Sequence, residues 1–196
     1  MNLPNKLSMF RILLVPVIAI VYLMPMDLGD ISVSMMSVSV TLRIADLIVL
    51  VLFAIASFTD FLDGNIARKR NLVTSFGKFI DPIADKLLVN TMLIMFAVSG
   101  VVSVIPVLLM IWRDTIVDGL RMNASKSGIV VAAGMSGKIK TVCQMIAIIV
   151  LLLSNIPFEF FHLPIDQVLV WIATAASLIS GVQYFIQLKD VVMESM

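Results

Sequence analysis

Six stretches of the chain are dominated by apolar residues, and short polar or helix-breaking segments separate them. This pattern predicts helices over 7–25, 41–69, 75–99, 102–124, 136–155 and 166–189. Pro25, Gly29 and Asp30 break the chain after the first run. Gly100 separates the third from the fourth, Asn155 and Pro157 end the fifth, and Pro164 precedes the sixth. Residues 31–40 alternate Ser with Val or Met, a period-two hint of a strand. Between two long apolar runs they read as an interfacial connection or as the first turn of the second helix. A membrane span needs about 20 mostly apolar residues, so the expected fold is all-α, a bundle of six transmembrane helices. No linker divides it, and residues 1–196 read as one domain.

Composition supports the lipid setting. Hydrophobic residues make up 60% of the chain and charged residues 14%, against about 25% charged in an average soluble domain. A net charge of +1 gives nucleic-acid binding no support. The single cysteine, Cys143, cannot form a disulfide within the chain and reads as a small core residue. Lys6 and Arg11 precede the first apolar run without a small-residue cleavage site after it, so that run reads as a retained helix.

Basic residues set the expected orientation. Lys6, Arg11, Arg68, Lys69, Arg70, Lys78, Arg121, Lys126, Lys138, Lys140 and Lys189 fall on one side. Residues 25–40 and 155–167 carry acids but no Lys or Arg. Both termini are therefore expected in the cytoplasm, in a multi-pass protein of the cell membrane. Arg43 is the exception, and Asp46, one turn later, can pair with it.

The informative chemistry is a set of four aspartates. Asp60 and Asp63 are three residues apart, Asp81 and Asp85 four apart, so on helices each pair shares one face. The polar run from Arg68 to Ser75 is long enough to turn the chain, so the two helices can run antiparallel with all four carboxylates converging. Such groups repel unless a cation sits among them. Hard oxygen ligands suit Mg²⁺ or Mn²⁺, which clamp a diphosphate. The bland alternative is a solvated network with Arg68, Lys69, Lys78 and Lys86. Small residues at Gly64, Ala67 and Gly77 leave room for a ligand, although they also suit tight helix packing.

These residues resemble the signature of the CDP-alcohol phosphotransferases, D-x-x-D-G-x-x-A-R followed after eight residues by G-x-x-x-D-x-x-x-D. Asp60, Asp63, Gly64, Ala67, Arg68, Gly77, Asp81 and Asp85 match every fixed position. The resemblance implies a six-helix membrane bundle with its site at the cytoplasmic side. It implies that Asp60, Asp63, Asp81 and Asp85 hold Mg²⁺ or Mn²⁺, with two ions expected. It also implies that Asp60, Asp63, Gly64, Ala67, Arg68, Gly77 and Asp81 take the CDP moiety, that Asp81 and Asp85 are catalytic, with Asp85 as general base, and that the protein is a homodimer.

Further stretches are similar to the bacterial members that make phosphatidylglycerophosphate: Pro4-Asn5 with Arg11, Lys78 to Lys86, Arg113 with Gly119-Leu120-Arg121, and Gly137 to Thr141. The implied substrates are CDP-diacylglycerol and glycerol 3-phosphate. Two positions depart from that pattern: Asp114 stands where Glu is expected, and Asp118 where Ser or Thr is expected. An acid at 118 would weaken an anion pocket if it faced inward.

Arg113 and Arg121 are eight residues apart, about two turns along one helix face. With Lys138 and Lys140 they form a basic set suited to the acceptor phosphate, unless Arg121 and the lysines simply reach for headgroups. Adjacent helical residues point apart, so Arg113 is not expected to pair with Asp114. Asn5 and Arg11 are candidates to close the nucleotide site. The alternatives are the same chemistry with inositol phosphate, serine or phosphatidylglycerol as acceptor, and, in a different class, an ion or proton transporter. Against a transporter, the acids gather at helix ends rather than mid-membrane, and no inverted repeat is visible.

Overall fold

The computed structural model describes residues 2–24, 28–35, 38–69, 74–126 and 134–194. The side chains of Leu3, residues 61–69, Ser75, Lys78, Lys126 and the residues after Lys189 also lie outside this description. In chain order the elements are α1 (Leu3–Leu23), β1 (Asp30–Met35), β2 (Val38–Arg43), α2 (Ile44–Lys69), α3 (Ser75–Val98), α4 (Val104–Lys126), α5 (Met135–Leu152), a 3₁₀ turn (Phe158–Phe161) and α6 (Ile165–Glu194).

The six expected helices are present, with ends set by local chemistry. α1 begins four residues earlier than the apolar run suggests, because the Asn2 side chain accepts the Asn5 amide and Pro4 suits a first turn. The Thr74 hydroxyl accepts the Gly77 amide and starts α3. Gly100, at φ 73°, turns the chain between α3 and α4, a conformation that glycine adopts without strain. Pro82 lies inside α3 and has no N–H for the carbonyl one turn back, so the helix lacks the backbone bond to the Lys78 carbonyl.

One element corrects the all-α expectation. Residues 30–35 and 38–43 pair as antiparallel strands, Ile31 opposite Leu42 and Val33 opposite Val40. The alternation noted over 31–40 is therefore a strand signal, and it continues through Arg43, which moves the start of α2 to Ile44. Val40 and Leu42 are buried, whereas Ile31, Val33 and Met35 remain exposed. Arg43 forms the expected pair with Asp46, with Nη2 2.6 Å from Oδ1 and Nε 3.0 Å from Oδ2.

α1 packs on α2 and α3, and α6 packs on α4 and α5. Ile18 of α1, Val49 and Phe53 of α2, Met92 and Phe96 of α3, Met110 of α4 and Ile148 of α5 meet in the core. Tyr22 and Phe96 meet edge to face, with ring centroids 5.6 Å apart. Large apolar side chains such as Leu13, Val98, Ile105 and Ile179 point outward over much of the surface, as lipid requires and water does not. Among the described residues, three helices are long and apolar enough to cross a membrane, within Pro4–Leu23, Met135–Leu152 and Ile165–Lys189. The structure is that of a helical membrane protein.

Candidate active site

The polar ends of the helices meet at one end of the bundle. There α1, the end of α2, the start of α3, the end of α4, the start of α5 and Tyr184 of α6 surround a cavity of about 360 Å³. Helical periodicity aims the side chains into it. Asp81 and Asp85 follow one another by one turn on α3, Asp114 and Asp118 do so on α4, and Lys140 and Gln144 on α5.

Among the described residues, three carboxylates line the acidic half. Arg11, wholly buried on α1, places Nη1 2.8 Å from Asp60 Oδ1 and bonds Asp85 Oδ1 with the same nitrogen. Ser8, one turn earlier, donates to Asp81 Oδ1 at 2.6 Å. Asp60, Asp81 and Asp85, from α2 and α3, are thus all tied to α1. Of the cations in the bland alternative, Lys86 pairs with Asp118, and the side chains of Arg68, Lys69 and Lys78 lie outside the described residues. Asp63, Gly64, Ala67 and Arg68 lie on the last turns of α2, and their side chains are outside the described residues. Gly77 is buried, and a Cβ there would stand 2.9 Å from Asn5 Oδ1 and 3.2 Å from Thr74 Oγ1. Its smallness serves the approach of α1 to α3. Asn5 is buried in that contact and accepts the Thr74 hydroxyl.

The basic half is built on α4, α5 and α6. Asp114 is buried and receives Lys140 Nζ, 2.5 Å from Oδ2, and Arg113 Nη1, 2.8 Å from Oδ1. The expected absence of a local Arg113–Asp114 pair is therefore corrected. The flexible arginine stem lets the guanidinium curl back to its neighbour, and burial of the carboxylate favours a second donor. Arg113 Nη2 also donates to Ser180 at 2.6 Å, and its Nε is a buried donor with no hydrogen-bond partner among the described residues. The guanidinium carbons of Arg113 and Arg121 lie 5.7 and 6.0 Å from the centroid of the Tyr184 ring. That ring is fixed by the Gly134 amide, which donates to its hydroxyl at 2.8 Å. Lys138 is exposed and is not among the residues lining the cavity.

The α6 contributors, Ser180, Gly181 and Tyr184, are absent from the sequence-based set. Their spacing from Ser177, at i+3, i+4 and i+7, is the available signal. In an apolar run it reads equally well as a helix-packing stripe.

Charge divides the cavity in two. Among the described lining residues, Asp60, Asp81 and Asp85 against Arg11 leave a formal charge of −2. Lys86, Arg113, Arg121 and Lys140 against Asp114 and Asp118 leave +2. One half suits a divalent cation and the other a phosphate dianion.

A family model described as CDP-alcohol phosphatidyltransferase matches residues 1–179. The chain belongs to this family. Similar relatives include CDP-diacylglycerol–glycerol-3-phosphate 3-phosphatidyltransferase of Bacillus subtilis (strain 168), 46% identical over 94% of this chain and 93% of the relative. Proteins of the same name from Rickettsia felis and Mycoplasma pneumoniae are 38% and 35% identical, over 94% and 91% of this chain and 93% and 84% of theirs.

A divalent metal, which the phosphatidyltransferase resemblance implies, fits the acidic half. Its donors are hard carboxylate oxygens, and a cationic nitrogen already stands between Asp60 and Asp85. Among the described residues no three acidic, His or Cys side chains close around one point. Asp63, the fourth member of the motif, has its side chain outside them.

Proposed function

We propose that this chain transfers the phosphatidyl group of CDP-diacylglycerol to glycerol 3-phosphate, yielding phosphatidylglycerophosphate and CMP. The observation that carries the reading is the divided cavity, with a net-negative half beside a net-positive one. It matches a reaction between a metal-bound diphosphate and a phosphorylated acceptor. The name that the Bacillus and Rickettsia relatives share agrees with it.

Asp60, Asp63, Asp81 and Asp85 would hold Mg²⁺ or Mn²⁺, two ions in this reading. Bound there, the metal supplies charge neutralisation for the diphosphate and for the leaving oxygen. Gly64, Ala67, Arg68 and Gly77 border the CDP moiety. Arg113, Arg121 and Lys140, with Lys138 at the rim, hold the acceptor's phosphate through directed N–H donors. Asp85 accepts the proton of the acceptor's primary hydroxyl. That oxygen bonds to the phosphorus bearing diacylglycerol, the bond from this phosphorus to the CMP oxygen breaks, and CMP departs with the electron pair. Holding both reactants in one cleft removes much of the entropic cost of the encounter.

In this reading all six helices cross the bacterial cell membrane, the cavity opens to the cytoplasm, both termini lie there, and residues 1–196 act as one domain within a homodimer. The Lys and Arg distribution supports that orientation. The test is Asp85→Asn and Asp81→Asn in purified, folded protein. Loss of a general base costs about 10²–10⁴ in rate. Transfer by Asp85→Asn at the wild-type rate would remove Asp85 from its role.

A further inference from the structure

Arg11 belongs to a helix that carries none of the motif's aspartates. It is nevertheless wholly buried and lies between two of them, Asp60 and Asp85. One nitrogen, Nη1, serves Asp60 of α2 and Asp85 of α3. Without a positive charge there, carboxylates from two helices would face one another across a partly hydrated cleft, their side chains 34% and 46% exposed, and their repulsion would oppose the approach of the helices. Arg11 thus occupies the place, and performs the electrostatic task, of the cation that the cluster is suited to bind.

The geometry points to Arg11 as the internal counter-cation of the metal-free enzyme, which an incoming divalent ion must displace from between Asp60 and Asp85. The inference rests on the reading of the acidic half as a metal site. A divalent ion on those carboxylates would stand close to the guanidinium's like charge, so each cation must weaken the other's hold. The arginine keeps α1, α2 and α3 assembled before metal arrives, at the expense of metal affinity. Its long stem lets the guanidinium swing aside while α1 stays anchored through Ser8, which holds Asp81, and through Asn5.

The experiment is Mn²⁺ binding to purified protein stripped of metal, with free Mn²⁺ read from its electron paramagnetic resonance signal and no substrate present. Wild type, Arg11→Met, Arg11→Gln and Arg11→Lys are compared. Both neutral variants are expected to bind Mn²⁺ roughly tenfold or more tightly than wild type, because a competing charge has gone. Arg11→Lys, which keeps a charge, should stay near wild type. Arg11→Gln can still hydrogen-bond both carboxylates, so the comparison survives if the methionine variant does not fold. Unchanged or weaker binding in the neutral variants overturns the proposal, as does equal tightening by lysine, which would make the effect one of packing. Failure of the wild type to bind Mn²⁺ at all would instead overturn the metal site itself, and the proposal with it.

Discussion

Asp114 and Lys140, 26 positions apart in the chain, meet as a buried ion pair with the lysine Nζ 2.5 Å from carboxylate Oδ2. Arg113 completes the arrangement from the other side. Removing the carboxylate would leave two cations in a poorly solvated interior, and breaking a buried pair in this way typically costs about 3–5 kcal/mol. Asp114→Ala is therefore expected to lower the melting temperature in detergent strongly. Asp114→Glu keeps the charge and should retain most of the stability. The carboxylate found here in place of the expected Glu is thus a structural partner of the basic set, and it leaves that half with surplus positive charge.

Gly181 lets α6 approach the arginine stem. A Cβ there would stand 2.8 Å from Arg113 Cγ and 3.4 Å from Nε. Gly181→Ala should displace the guanidinium from Ser180 and from the Tyr184 ring. A misplacement of about 1 Å can cost up to about a hundredfold, and the loss should fall on kcat/KM for glycerol 3-phosphate more than on that for CDP-diacylglycerol. Initial rates with each substrate varied in turn make the comparison.

Lys86 and Asp118 form an ion pair linking α3 and α4, with side chains 32% and 41% exposed. Solvent screening at that exposure limits its worth to about 1 kcal/mol or less. Asp118 does face the cavity, the condition under which an acid there weakens an anion pocket. Asp118→Ser should leave the melting temperature nearly unchanged while freeing Lys86 for the acceptor. A few-fold lower KM for glycerol 3-phosphate is expected, by roughly the worth of one partly screened charge.

Gly77→Ala tests the seam between α1 and α3. The new methyl would meet Asn5 Oδ1 at 2.9 Å and the capping Thr74 hydroxyl at 3.2 Å. Overpacking of this kind costs about 1–3 kcal/mol. Because Ser8 and Arg11 ride on the same helix, transfer activity should fall together with thermal stability.

Helix positions were legible because lipid imposes long apolar runs, and α3 spans Ser75–Val98 against an expected 75–99. The shared face of Asp81 and Asp85 was legible because helical spacing alone puts them there, and both line the cavity. The strand pair was half legible. Its alternation is visible, but a local pattern does not reveal that Val40 and Leu42 are buried where β2 meets α2 and the 3₁₀ turn. Tertiary choice hid the rest. Arg11 approaches Asp60 and Asp85 from positions 49 and 74 residues away, and nothing local separates it from a residue reaching for headgroups. Spacing rules for Arg113 and Asp114 consider where Cβ atoms point and miss the reach of a long side chain. Ser180, Gly181 and Tyr184 look like packing residues until Arg113 is seen against them.

The most direct measurement of the central claim is CMP release by purified protein in detergent micelles. CDP-diacylglycerol is supplied with Mg²⁺ or Mn²⁺, and glycerol 3-phosphate, inositol phosphate, serine and phosphatidylglycerol are offered in turn as acceptor. The account predicts release that requires both metal and glycerol 3-phosphate, with phosphatidylglycerophosphate as product. Release with an acceptor lacking a phosphate monoester, at a rate equal to or above that with glycerol 3-phosphate, would contradict the role given to Arg113, Arg121 and Lys140. Release without metal would contradict the role given to the aspartates.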